Sequence, residues 1–162
     1  YKSIFKLNEN IFLNFKIPEG RGDHSVVKID NKKINLIDQS YNSNPLSLKS
    51  AIQNFDKINS KKSNKYLLIG DMLELGSHSK KLHQSIAPII NQTKIDKVFV
   101  KGKMASIIFS GISKAKKGRI LLNNSQIIEL IRKDLNNNDY LMIKASLATG
   151  FNDIVKDLKG LH

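Results

Sequence analysis

The chain has 162 residues, 40% of them hydrophobic, enough for one domain with its own core, since domains commonly run to about 100–150 residues. It carries a net charge of +13 and no cysteine, which excludes disulfides, thiolate metal sites and a cysteine nucleophile. No run approaches the roughly 18 uninterrupted apolar residues of a membrane helix, and the opening YKSIFKLNENIF has neither a signal-peptide core nor an initiator Met, so the sequence reads as soluble, cytoplasmic and compatible with being a fragment.

Residues 1–20, with Phe5, Phe12 and Phe15 and then Pro18-Glu19-Gly20, read as a tail or linker, the end of a preceding domain. From about residue 24 short β-branched runs alternate with longer amphipathic stretches, the pattern of βαβ units and a mostly parallel sheet. SVVKI (25–29) and KINLIDQ (33–39) flank the turn-forming Asp30-Asn31-Lys32, which predicts an antiparallel hairpin at the start of that sheet. Asn44-Pro45 opens a helix running to about Asn59, with Leu46, Leu48, Ile52, Phe55 and Ile58 as its apolar face. YLLIG (66–70) reads as a strand buried on both faces, followed by a helix over 80–92. KVFVKG (97–102) is the next strand, 104–113 a short helix, RILLN (119–123) a strand, and 125–136 a helix capped by Ser125. DYLMIKAS (139–146) is the last strand and 151–159 the closing helix. The expected fold is an α/β, Rossmann-like three-layer domain with a mostly parallel sheet and an N-terminal antiparallel hairpin.

A charge of +13 invites a nucleic-acid partner, because basic surfaces gather polyanions by counterion release. Yet arginine occurs only at Arg21, Arg119 and Arg132, the rest being scattered lysine among abundant Asn and Ile, as an A/T-rich coding sequence produces. No aromatic-interleaved basic strip or base-reading helix is present, so the lysines read as a solvated surface. An anionic small molecule remains compatible with them.

In open α/β sheets ligands bind beyond the carboxyl ends of the strands. Four polar clusters fall there: Asp38-Gln39-Ser40-Tyr41-Asn42-Ser43-Asn44-Pro45, Gly70-Asp71-Met72-Leu73-Glu74-Leu75-Gly76, Gly102-Lys103, and Lys144-Ala145-Ser146. In the first, Asp38 suits ribose hydroxyls, Tyr41 a purine ring and Asn42 either; the structural alternative is that Asn44 caps the helix and Tyr41 packs in the core. In the second, Asp71 and Glu74 between glycines suit an amine nucleophile or a magnesium-bound phosphate, the alternative being a tight turn with Glu74 in solvent. Lys144 and Ser146 suit a substrate carboxylate or phosphate, and the Arg21 guanidinium suits a phosphate or ribose. His83 reads as structural, and His24, His78 and His162 show no metal-ligand spacing with it or with each other. Arg21-Gly22-Asp23 matches an integrin-binding tripeptide, a chance match in a cysteine-free cytoplasmic chain. Neither a GxxxxGK[ST] loop nor a GxGxxG turn is present, so if this domain handles ATP it contributes only one wall of the site.

GRG, then DxSYNxNP, then GDMLELG with His83 shortly after, resemble the C-terminal domain of MurF-type Mur ligases over roughly residues 18 to 160. The resemblance implies an ATP- and magnesium-dependent ligase of peptidoglycan synthesis. Such enzymes phosphorylate the carboxylate of UDP-MurNAc-tripeptide, and the amine of D-Ala-D-Ala then attacks the acyl phosphate. It implies that residues 1–20 end a truncated central ATPase domain or linker and that 21–162 form the C-terminal domain. Arg21, Asp38, Tyr41, Asn42 and Asn44 would lie on the ATP side, and Asp71, Glu74, Lys144 and Ser146 would face the dipeptide. The P-loop, most magnesium contacts and the UDP-binding domain would lie in N-terminal and central domains outside these residues, leaving the isolated chain inactive. The last motif departs from the family's KGS followed by Arg or Asn, reading Lys144-Ala145-Ser146-Leu147. A stand-alone basic α/β module for nucleotides or nucleic acid is the alternative in another class, and a sister amide ligase such as a folylpolyglutamate synthase is the third; SYNSNP and GDMLELG argue against the latter.

Overall fold

A computed structural model of the chain describes residues 19–60 and 62–160; the expected preceding-domain tail up to Pro18, and His162, lie outside the described residues. Six strands form one sheet in the order β1-β2-β6-β3-β4-β5: β1 (Asp23–Ile29), β2 (Lys32–Gln39), β3 (Lys65–Gly70), β4 (Lys97–Lys101), β5 (Lys117–Leu121) and β6 (Tyr140–Lys144). Only β1 runs antiparallel, joined to β2 by the two-residue turn Asp30-Asn31, in which Asp30 adopts a φ of 53°. Lys32, expected in the turn, already pairs with Ile29 as the first residue of β2.

Two apolar clusters, one on each face of the sheet, make this a three-layer domain. Leu67, Ile69, Val98, Val100 and Met142 pack under α1 (Pro45–Asp56), α3 (Ile86–Asn91) and α4 (Ala105–Ser110). On the other face Leu68, Phe99, Leu141 and Ile143 pack under α5 (Ser125–Asp134) and α6 (Phe151–Lys159). Fully burying an aliphatic or aromatic side chain is worth about 1.5–3 kcal/mol, so this two-sided burial of the central strands dominates the fold's stability.

Topology creates the cleft. The chain leaves β2 and β3 toward the α1 face but leaves β6, inserted between them, toward α6 on the opposite face. Neighbouring connections therefore part at the carboxyl ends of β2, β6 and β3, and a crevice opens where three of the four polar clusters lie.

Further expectations change. Helix α1 ends at Asp56 rather than near Asn59, and Leu46, expected on its apolar face, is 75% exposed. The single helix over 80–92 is a 3-10 turn (Gly76–His78) followed by α2 (Ser79–Gln84) and α3, because Pro88 has no N–H for the carbonyl of residue 84 and its ring crowds that carbonyl. The fifth strand starts at Lys117 rather than at 119, with Gly118 lying so close over Phe99 that a Cβ would stand 2.5 Å from the ring; Leu122, expected inside the strand, is 79% exposed. Helix α5 is not capped by Ser125: the Asn123 carboxamide oxygen accepts the Gln126 N–H at 3.1 Å, and Gln126 reaches back to the Leu122 N–H at 2.7 Å.

Candidate functional site

Each wall of the crevice is a loop pinned to its neighbour. In the β2 loop the Asp38 side chain is buried, and its Oδ1 accepts the Ser40 N–H at 3.0 Å and the Ser40 hydroxyl at 2.7 Å. Its Oδ2 takes the Lys159 ammonium at 2.9 Å, and the same ammonium reaches Asp23 at 2.5 Å. Burial lowers the Lys159 pKa and the two carboxylates raise it; the carboxylates win, leaving it above the ordinary lysine value. Tyr41 does not enter the core: its half-exposed ring lies 4.4 Å beneath the Arg21 guanidinium. Asn44 caps α1, with its carboxamide oxygen accepting the Ser47 N–H at 2.8 Å and the Ser47 hydroxyl accepting the Asn44 N–H at 3.1 Å. That oxygen is engaged by the helix, whatever the rest of the side chain meets.

The β6 exit stitches the loops together. Lys144 is 2% exposed, and its ammonium donates to the Asn42 carbonyl. Burial lowers its pKa to about 8, because the charged form loses its hydration. The Ser146 hydroxyl donates to the Ser43 carbonyl at 3.3 Å and accepts the Leu73 N–H at 3.1 Å, joining the β2 and β3 loops through one side chain. Ala145 is accommodated by Gly70, whose absent Cβ would lie 2.7 Å from the Ala145 Cβ. Leu147 is 45% exposed and lines a cavity of about 430 Å³ with Ser40, Tyr41, Asn152, Lys156 and Lys159.

In the β3 loop the two carboxylates part company. Asp71 Oδ1 accepts the Ala105 N–H at 2.7 Å at the start of α4, and its carboxylate packs so tightly on Gly102 (φ 129°) that a Cβ there would meet Oδ1 at 2.2 Å. Glu74 is exposed and held at a φ of 62°, a conformation costly for a side chain with a Cβ. His83 is fully buried, its Nδ1 bonded to the Ser79 carbonyl at 2.8 Å, which leaves Nε2 to accept the Met72 N–H at 3.1 Å. This histidine fastens the loop to α2. Lys103, after β4, is exposed.

The structure thus brings Arg21, Asp38, Tyr41 and Asn42 to one side of the crevice and Lys144, Ser146, Asp71 and Glu74 to its centre and far side. Sequence reasoning passed over Lys159 and Asp23, which pair across 136 positions; no local pattern marks a lysine in the last turn of the last helix. Among the described residues no three or more His, Asp or Glu gather as a metal would require, and no helix is long and apolar enough to cross a membrane.

Residues 25–147 match the family described as Mur ligase, glutamate ligase domain. The chain belongs to the Mur ligase family. Among its relatives, this Mur ligase domain is 32% identical to the UDP-N-acetylmuramoyl-tripeptide--D-alanyl-D-alanine ligase of Bacillus subtilis over 77% of its length, and 33% identical over 76% to the enzyme of the same name from Buchnera aphidicola of Acyrthosiphon pisum. It spans 28% and 26% of those relatives. In structure it matches the MurF ligase of Thermotoga maritima in complex with ADP, with a TM-score of 0.73 at 21% identity, covering 91% of this chain and 32% of that one. The mixed sheet with its antiparallel first pair is the fold of the Mur ligase C-terminal domain.

Proposed function

We propose that this chain is the C-terminal domain of a cytoplasmic ligase that adds D-alanyl-D-alanine to UDP-MurNAc-tripeptide through an acyl phosphate. The observation that carries this reading is the meeting of the SYNSNP, GDMLELG and KAS loops in one crevice at the sheet's switch point, in a chain whose curated relatives act on that dipeptide. ATP with magnesium supplies the phosphoryl group that activates the tripeptide carboxylate, and upstream domains supply the phosphate loop and most of the metal contacts. The Arg21–Tyr41 stack at the rim of the 430 Å³ cavity fits a nucleoside, offering an aromatic face and a guanidinium, with Ser40 and the Asp38 carboxylate beside them for ribose hydroxyls.

Across the crevice Glu74 projects into solvent, where it can receive the dipeptide ammonium, while Asp71 holds α4 and the loop in place. Lys144 and Ser146 place positive charge and a hydroxyl beneath the loops, on the side where a dipeptide carboxylate would be held. The nucleotide and dipeptide walls are therefore bonded to each other through Lys144 and Ser146, and closure of this domain on an ATPase domain would move both together. Alone, the chain has no phosphate loop and is inactive in this reading.

The test joins the chain to the remaining domains of the Bacillus subtilis relative in place of that enzyme's own C-terminal part. With ATP, magnesium and UDP-MurNAc-tripeptide, phosphate release and pentapeptide formation should require D-Ala-D-Ala, and the unjoined chain should give neither. Release indifferent to the dipeptide, or selective for a free amino acid, refutes the reading.

A further inference from the structure

Asp23 and Asp38 are cross-strand partners in the antiparallel β1–β2 pair, directly opposite one another, an arrangement that is destabilising for like charges. Both carboxylates are partly or wholly withdrawn from solvent, with side-chain exposures of 22% and 4%. One cation stands between them: the Lys159 ammonium, 9% exposed, at 2.5 Å from Asp23 and 2.9 Å from Asp38. Each carboxylate uses its other oxygen on a turn that borders the cavity. Asp23 Oδ1 accepts the Gly20 N–H at 2.9 Å, and Asp38 Oδ1 accepts both Ser40 donors. The two turns are themselves joined, Tyr41 N–H to the Gly20 carbonyl at 3.1 Å and Gly22 N–H to the Asp38 carbonyl at 2.7 Å. Arg21 and Tyr41, the stacked pair, sit one on each turn.

We propose that Lys159 is the positioning residue of this cavity: by standing between two facing carboxylates it fixes Asp38 on Ser40 and Asp23 on Gly20, and so holds Arg21 over Tyr41 in the shape that receives a nucleotide. The proposal rests on the nucleotide-side reading above and adds to it a residue from the far end of the chain that touches no ligand itself. Without the ammonium the opposed carboxylates repel, Asp38 turns away from Ser40, and the shelf loses its registry. Removing one of the two charges as well relieves that repulsion.

The experiment uses the 162-residue chain, labelled with 15N, its Lys159→Met, Lys159→Arg and Asp23→Asn/Lys159→Met variants, and Asp38→Asn as a control. Two readouts are taken: hydrogen exchange of the Ser40 and Tyr41 amides, and their shifts on titration with ADP. Lys159→Met should speed exchange at both amides and weaken ADP about tenfold, the scale of one ordinary hydrogen bond's contribution. Lys159→Arg should recover part of each, and the double variant should recover both readouts although it lacks two native groups. A lysine that serves only through the packing of its stem predicts the opposite order, with the double variant at least as impaired as the single. Unchanged amides and ADP response in Lys159→Met, or no recovery in the double variant, overturns the proposal. If the unaltered chain and Asp38→Asn both ignore ADP, the nucleotide-side reading fails, while the exchange rates still decide whether Lys159 positions the turns; an ADP response lost in Asp38→Asn but kept in Lys159→Met condemns Lys159 alone.

Discussion

Lys144 holds an ammonium where 2% of the residue is exposed, and the consequence is measurable as a dependence of stability on pH. Its folded pKa, about 8, lies below the ordinary 10.5 because burial removes hydration from the charged form. Between those values the unfolded chain binds more protons than the folded one, so this residue's contribution makes stability rise with pH across that window and leaves a penalty below it. Lys159 is shifted the other way, so its contribution is fully present below the ordinary lysine value and is lost only as pH rises through its higher folded value. Urea unfolding at pH 7, 8, 9 and 10 should therefore show the chain gaining stability relative to Lys144→Met over that range. A difference independent of pH would mean that Lys144 is as well hydrated as a surface lysine. At this scale the sequence marked polar residues that the fold gathers at one edge of the sheet, but not their partners. Asn44 before Pro45 declared a cap, since capping is a three-residue interaction. The clasp of Lys144 on Asn42 and of Lys159 on Asp23 joins residues more than a hundred positions apart, and only the sheet order places them together.

At the level of elements, what was legible followed periodicity, and what was missed followed single side chains. Runs such as YLLIG and KVFVK are buried on both faces and were recognisable as central strands, and the hairpin followed from its short polar turn. The break of the 80–92 helix was written in Pro88, but an apolar face continuing on both sides of it disguised the break. At α5 two polar residues competed for the cap, and Ser125 is itself a donor to the Asn123 oxygen at 2.6 Å. Replacing Asn123 by Ala should thus cost about 1 kcal/mol, the usual loss at a cap, in thermal or urea unfolding. Ser125→Ala removes only an exposed hydroxyl contact and should stay within about 0.5 kcal/mol of the parent. Equal losses at the two positions would return the cap to Ser125. The helix bears on the site indirectly, because α5 carries the crossover that inserts β6 between β2 and β3 and so places Lys144 and Ser146.

Across the whole molecule the net charge of +13 read as a solvated lysine surface, and the structure gives several of those lysines internal work instead. Lys32 donates to the Arg132 and Leu135 carbonyls at 2.6 and 2.7 Å, at the end of α5. Lys65, 4% exposed, donates to the Asp56 carbonyl at 2.7 Å at the end of α1, and Lys116 donates to the Thr93 and Ile95 carbonyls at 2.6 and 2.7 Å just beyond α3. Helix C-termini offer unpaired carbonyls and partial negative charge, so a lysine-rich composition can close helices that lack glycine caps. These bonds lie at the amino-terminal edge of the sheet, away from the crevice, which leaves the exposed charges beside the cavity, Arg21 and Lys156, for an anionic ligand. The division predicts two classes of lysine. Lys32→Gln, Lys65→Gln and Lys116→Gln should each lower stability by about 1.5–3 kcal/mol, the range for hydrogen bonds made by charged groups. Exposed Lys28, Lys49 and Lys103, changed in the same way, should stay within about 0.5 kcal/mol. Denaturant unfolding of the six variants separates the classes. If instead the exposed three matched the inward three in stability, and their loss weakened duplex DNA binding with a steep salt dependence, the surface charge would belong to a nucleic-acid partner after all.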